Sequence, residues 1–335
     1  MRASYFTPLI VFAGAVLLAA PARADDWGQW LGPKRDAVWA EKGLLTTFPK
    51  DGPKVVWRQP IAAGYAGPAV VGGKLYVMDR EKAEPDPKNP PPKGTLPGNE
   101  RVHCLNAADG KTIWTHSYDC PYTKVSYPSG PRTTPVIDGD RLFTLGTMGD
   151  LLCLNAATGK VVWSKNFVKD YAAPVPLWGW SAHLLLDGDT LVALVGGDGQ
   201  AVVAFDKKTG KEKWKALSTK EICYSPPIIT EAGGKRQLIV WLSEALYSLD
   251  PATGTKYWEH SHPDKGEVAR PAVSIVTPKR AGEKLLISSF YHGTLCLALD
   301  KDKPAATVAW RSKTSYPKPI EGLNAVMTSL LVKGD

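Results

Sequence analysis

The sequence predicts an all-β fold, a β-propeller of four-stranded antiparallel blades, on three observations. A nine-residue phrase recurs about every fifty residues and always ends in tryptophan. It reads Asn-Ala-Ala-Asp-Gly-Lys-Thr-Ile-Trp at Trp114, Asn-Ala-Ala-Thr-Gly-Lys-Val-Val-Trp at Trp163, Asp-Lys-Lys-Thr-Gly-Lys-Glu-Lys-Trp at Trp214 and Asp-Pro-Ala-Thr-Gly-Thr-Lys-Tyr-Trp at Trp258. The intervals are 49, 51 and 44 residues, and a decayed copy ends 52 residues later at Trp310. This period exceeds that of a helix-pair solenoid and suits one blade of the kind found in WD40 rings. Between the phrases lie short apolar runs joined by Gly-bearing turns, and with 31 Gly and 28 Pro the chain has the turn residues such a fold needs.

Each blade element has a local reason. The first strand is an apolar run such as 69–71 or 227–229. A tight turn follows, Gly72-Gly73, Asp138-Gly139-Asp140, Asp187-Gly188-Asp189 or Gly233-Gly234, where glycine accepts the positive φ of a hairpin. Second strands are expected over 75–78, 142–145, 191–195, 238–242 and 285–288. The third strand ends in the Asn or Asp that opens the phrase and bonds its own downstream backbone. Gly110, Gly159, Gly210 and Gly254 then close a bulged hairpin in the left-handed conformation. The fourth strand carries the tryptophan, whose apolar face can pack between blades while its N–H finds a backbone partner. Trp57, Trp114, Trp163, Trp214, Trp258 and Trp310 share this phase and read as structural docking residues. Trp57 ends a fourth strand with no first three before it, an orphan suited to closing a ring.

The remaining segments divide the chain. Residues 1–24 read as a signal peptide cleaved after Ala24, with an apolar run of insufficient length to span a bilayer. Residues 25–51 form a lead-in expected on the propeller's outside or across one face. The propeller covers 52–335, interrupted at 81–100 by a Pro-rich loop expected to be extended and mobile. The last residues stop inside a blade, so five blades and the start of a sixth are expected, from a full ring of seven or eight truncated at its C-terminus.

Charge and cysteine usage exclude several classes. The net charge of +8 is spread without a basic run or basic helix, which argues against nucleic acid. The five cysteines lack a Cys-x-x-Cys spacing, and Cys104, Cys153 and Cys296 fall at equivalent positions of separate blades, beyond disulfide reach. Five mostly buried free thiols are expected. His260-Ser261-His262 reads as a surface loop and Gly196-Gly197-Asp198-Gly199 as a hairpin turn, since no helix follows it to bind phosphate. Metal ligands and catalytic residues are therefore assigned to no position.

The phrase ending at Trp163 resembles the tryptophan-docking motif of the quinoprotein-like propellers with pyrroloquinoline quinone (PQQ)-type repeats. More narrowly, Trp27-Gly28-Gln29-Trp30, Tyr127-Pro128-Ser129-Gly130-Pro131-Arg132 and Trp178-Gly179-Trp180-Ser181 are similar to exported bacterial PQQ-binding-like propellers and to relatives of the assembly protein BamB. The resemblance implies a periplasmic or secreted propeller. It implies no activity residue by residue, because the chain lacks the vicinal Cys pair and calcium ligands of quinone dehydrogenases and the anchoring cysteine of the assembly lipoprotein.

Blade geometry places a site at one mouth of the channel, where successive first strands are approached. Tyr65, Tyr127, Arg132, Trp178, Trp180, His183, Tyr224, Arg270 and Asn324 are the candidate ligand-binding residues, aromatic faces for stacking and Arg forks for carboxylates. The expected function is a non-catalytic binding or scaffolding platform, monomeric, without a membrane span, taking a protein, peptide or small molecule at this face and needing no cofactor. The alternative is a quinone-dependent alcohol dehydrogenase using PQQ with calcium.

Overall fold

A computed structural model describes residues 25–264, 267–313 and 322–332. The expected signal peptide lies outside these residues, as does part of the expected sixth blade. Among them are five four-stranded antiparallel sheets and one two-stranded ribbon. Each sheet is a meander with strands paired in chain order. The first comprises Ala69–Val71, Lys74–Lys82, Gly98–Asn106 and Thr112–Asp119. The second runs from Val136–Asp138 to Val161–Asn166, the third from Leu185–Asp187 to Glu212–Ala216, the fourth from Ile228–Ala232 to Lys256–Ser261 and the fifth from Lys279–Ala281 to Ala306–Arg311. The protein is a β-propeller, with apolar clusters between successive sheets: Phe143 and Phe205 share one, Leu194 and Leu238 the next.

The recurring phrase explains the spacing between sheets. Trp114 pairs across from Cys104, Trp163 from Cys153, Trp214 from Ala204, Trp258 from Ser248 and Trp310 from Cys296, and the register shifts by a bulge beside each tryptophan. A small residue stands opposite every indole, which accounts for three of the five cysteines. All five thiols are buried and free. Four indoles then reach a neighbouring turn. The Nε1–H of Trp57 donates to the Ala107 carbonyl at 2.9 Å, Trp114 to Ala156 at 3.1 Å, Trp163 to Lys207 at 3.0 Å and Trp214 to Pro251 at 3.1 Å. Their rings cover Gly110, Gly159, Gly210 and Gly254, all at φ between +69° and +75°.

The fifth sheet departs from this pattern. Its turn, Asp300 to Pro304, has no glycine for an indole to cover. Trp258 instead donates to Gln237 Oε1 within its own sheet at 2.9 Å, and Trp310 is 40% exposed. Trp57 also departs from expectation: its indole sits on the Gly110 turn, but residues 53–60 join no sheet among the described residues.

The Pro-rich segment is narrower and better tied than 81–100. Pairing between the second and third strands of the first sheet continues to Lys82↔Gly98, where the buried side chains of Asp79, Arg80 and Glu100 all find hydrogen-bond partners. Thr95–Leu96 pairs with Tyr122–Thr123, and Arg80 donates to the Leu96 and Pro97 carbonyls at 2.6 and 2.8 Å.

The lead-in lies neither outside the propeller nor across a face; it runs along the inner strands. Trp27 exchanges backbone hydrogen bonds with Val70 of the first sheet, and the Gly28 carbonyl accepts from Ile137 of the second. Arg35 donates to Leu184, before the third sheet, and to Pro227, before the fourth. The Asp36 carbonyl accepts from Lys279 of the fifth. Five sheets thus converge on one short segment at the axis.

Gly159→Ala tests the contact between sheets, since a Cβ there would lie 2.6 Å from the Trp114 ring at a φ of +70°. The expected loss is about 2 kcal/mol or more in urea unfolding, against about 1 kcal/mol for Gly43→Ala, which shares the left-handed φ (+75°) but whose Cβ would meet nothing within 4 Å, so that the difference reports the contact with the ring.

Candidate functional site

The approaches to successive first strands meet over the axial segment and enclose a cavity of about 750 Å³. Tyr65 enters from ahead of the first sheet, Tyr127 and Arg132 from ahead of the second, Trp178, Ser181 and His183 from ahead of the third. Tyr224 and Pro226 precede the fourth sheet and Pro271 to Thr277 the fifth, while Phe290, Tyr291 and the stretch around Val326 and Met327 complete the wall. The rim is exposed at Tyr127 (70%) and Met327 (76%), whereas the interior reaches buried Tyr224 and Val276.

Six of the nine residues expected at this mouth line it together: Tyr65, Tyr127, Arg132, Trp178, His183 and Tyr224. Trp180 does not. It is buried in the core, edge-on to Phe167 with ring centroids 5.6 Å apart, and donates to the Val195 carbonyl at 3.0 Å. In the Trp-Gly-Trp stretch, Gly179 at φ +64° turns the chain, so Trp178 faces the cavity and Trp180 the core. Arg270 is also absent from the lining, being paired with Glu221 at 2.8 Å and Glu244 at 3.3 Å. Asn324 stands behind the wall and donates to the Phe290 carbonyl at 2.6 Å.

Trp30 was missed by the sequence reading and forms part of the cavity floor. Its indole stacks on His183 at 4.0 Å with 6° between planes, and its Nε1–H donates to Thr277 Oγ1 at 3.2 Å. The clue was the tryptophan pair of the lead-in, but nothing in a non-repeating segment says that it enters the axis.

The polar groups of the cavity are largely committed inward. Arg132 donates to the Gly130, Ser126 and Tyr127 carbonyls at 2.5, 3.0 and 2.6 Å, to Thr147 Oγ1 at 3.2 Å, and lies 5.2 Å from the Tyr65 ring centre. Burial lowers its pKa from the usual arginine value. His183 Nδ1 accepts from the Thr134 backbone N–H at 2.9 Å, and burial, reinforced by the Arg35 charge, pushes its pKa down to about 3. Its neutral ring therefore carries the proton on Nε2. Behind Thr147, the buried carboxylate of Glu100 accepts from Tyr118 Oη at 2.6 Å, from Tyr122 Oη and from the Thr147 N–H at 3.0 Å. That cluster ties the first sheet to the second beneath the mouth.

The geometry defines a propeller of PQQ-like repeats with an aromatic axial cavity. A family model described as outer membrane protein assembly factor BamB matches residues 98–329, and the chain belongs to that family. BamB from Moraxella catarrhalis superposes with a TM-score of 0.52 at 15% identity, over 85% of this chain and 72% of that one. Quinohemoprotein alcohol dehydrogenase from Comamonas testosteroni superposes with a TM-score of 0.57 at 15% identity, over 91% of this chain. The match spans about half of the dehydrogenase, 53% of its length. At such identity these likenesses show the fold alone. Among curated proteins, no sequence relative matches.

Two measurements probe this site's framework. Glu100→Ala leaves the Tyr118 hydroxyl and the Thr147 N–H without their acceptor and Tyr122 Oη with Thr147 Oγ1 alone, at 2.6 Å, and a loss of about 3 kcal/mol is expected in chemical unfolding. His183 gives a pH dependence. The unfolded histidine protonates near its ordinary value of 6.5 while the folded one stays neutral to about 3. The unfolded state therefore holds more protons between these values, and stability falls as pH drops through that window. The unfolding midpoint should decline from pH 7 to pH 5, less steeply in His183→Asn, with a residual slope from His262, also held to about 3.

Proposed function

We propose that this chain is an exported, non-catalytic propeller that binds a partner at its axial mouth, as a monomeric platform in envelope assembly. The observation that carries this reading is the cavity of about 750 Å³, walled by aromatic rings from successive sheet approaches and floored by the axial segment. Its size falls in the range of ligand sites, and its exposed aromatic rim suits an extended peptide or a small molecule. The name of the matched family, an assembly factor, supports a protein or peptide partner. Export is supported by the charged, apolar and small-residue order of residues 1–24. No helix among the described residues is long and apolar enough to cross a membrane.

The quinone reading fits the lining poorly. Calcium takes six to eight oxygen ligands, yet among the described residues no carboxylate lines the cavity. Among the described residues no three His, Cys, Asp or Glu side chains are grouped to hold a metal. PQQ is a tricarboxylate, and Arg132, the one cationic side chain of the lining among the described residues, directs its N–H groups to main-chain oxygens.

Fluorescence anisotropy with labelled extended peptides, alternating aromatic and polar residues, tests the proposal. Binding by the full chain is expected to weaken about tenfold in Tyr127→Ala/Met327→Ser. Equal binding by the variant would count against the mouth. Dye reduction by alcohols after addition of PQQ and calcium would favour the dehydrogenase instead.

A further inference from the structure

The lining chemistry says more than that something binds. A ligand entering the cavity loses water and must find its replacement in the walls. Those walls offer rings and aliphatic side chains: Trp178 and Tyr224 tilt together at 5.1 Å, Trp30 caps His183, and Ile275 and Val276 also line the space. Among the described residues no Asp, Glu or Lys lines the cavity. The two guanidinium groups at the axis, Arg132 within the lining and Arg35 below it, both direct N–H groups to main-chain carbonyls, and His183 is neutral with Nδ1 already accepting. A cation placed here would face two guanidinium charges, and an anion would find N–H groups of both already engaged by carbonyls, whereas a flat, largely apolar molecule would stack on the rings and could take one hydrogen bond from the buried Tyr224 hydroxyl, which has no partner among the described residues. Neutral hydroxyls such as Tyr65 and Tyr127 at the rim could serve one polar edge.

We propose that the axial cavity is a site for an uncharged, planar, apolar small molecule, held between the Trp178–Tyr224 wall and the Trp30–His183 floor. The proposal rests on the mouth being a binding site and specifies its ligand class. It distinguishes this cavity from one built for a carboxylated quinone. It also assigns the axial lead-in a role in the site, since Trp30 supplies the floor from outside the repeats.

The test is a titration of the full chain with the neutral fluorophore N-phenyl-1-naphthylamine, read by energy transfer from tryptophan, beside the anionic 1-anilinonaphthalene-8-sulfonate of similar ring system. Micromolar binding of the neutral probe is expected, about tenfold tighter than the anion. Trp178→Ala should weaken it about tenfold, and Ser181→Trp, which fills the cavity from its wall, should abolish it. Having two variants guards against one that fails to fold, which far-UV circular dichroism would detect. Val56→Ser alters an exposed apolar residue remote from the cavity and should change nothing. Tighter binding of the anion would mean that the Arg132 and Arg35 charges govern the site, and the proposal falls. Neutral-probe binding that survives both cavity variants also overturns it, as does an equal loss in Val56→Ser. Peptide binding that depends on Tyr127 and Met327 while the neutral probe fails to bind would leave the platform reading standing and remove only this inference.

Discussion

Everything in this molecule is arranged around a contact between a flat indole and a residue without a side chain. Trp114 over Gly159, Trp163 over Gly210 and Trp214 over Gly254 set the separation of consecutive sheets, while each indole N–H donates to a carbonyl of the turn it covers. The bulge beside each tryptophan aims it, and a small residue across the strand leaves room for it. One contact thus links hairpin geometry to the packing of neighbouring sheets. Its absence in the fifth sheet, where the turn carries no glycine, is matched by Trp258 turning to Gln237.

That arrangement brings the first strands together but does not fill the space between them. The lead-in does so by offering a different group to each sheet: a backbone pair at Val70, a carbonyl at Ile137, the Arg35 fork at Leu184 and Pro227, and a carbonyl to Lys279. A guanidinium suits this position because its several N–H donors can satisfy carbonyls from two sheets at once. Burial lowers its pKa to about 10, which still leaves it charged at neutral pH. The cavity is what remains above this filling.

The mouth is held rigid by its polar groups more than it is equipped by them. Arg132 ties three loop carbonyls, Thr147 links that loop to the Glu100 cluster, and Arg80 lies 4.2 Å from the Tyr122 ring centre on the other side. Such groups orient the aromatic walls and leave the cavity surface itself apolar. This division of labour is what the proposed binding of an apolar ligand requires, since the groups that fix the walls are not those a ligand would meet.

The sequence by itself determined the blade, because every step within it is local. Hairpin turns follow from Gly at positive φ, the bulge from Asn or Asp with Gly, and the repeat length from four short strands. The same logic put Tyr65, Tyr127, Arg132, Trp178, His183 and Tyr224 at one mouth, since they occupy equivalent places before successive first strands. Only the tertiary structure decided what periodicity cannot encode. Trp180 turned into the core because Gly179 reverses the chain beside Thr147, and Arg270 was captured by Glu221 and Glu244 from other loops. The lead-in, having no repeat to fix its register, could be placed only by the space the five sheets leave along their shared axis.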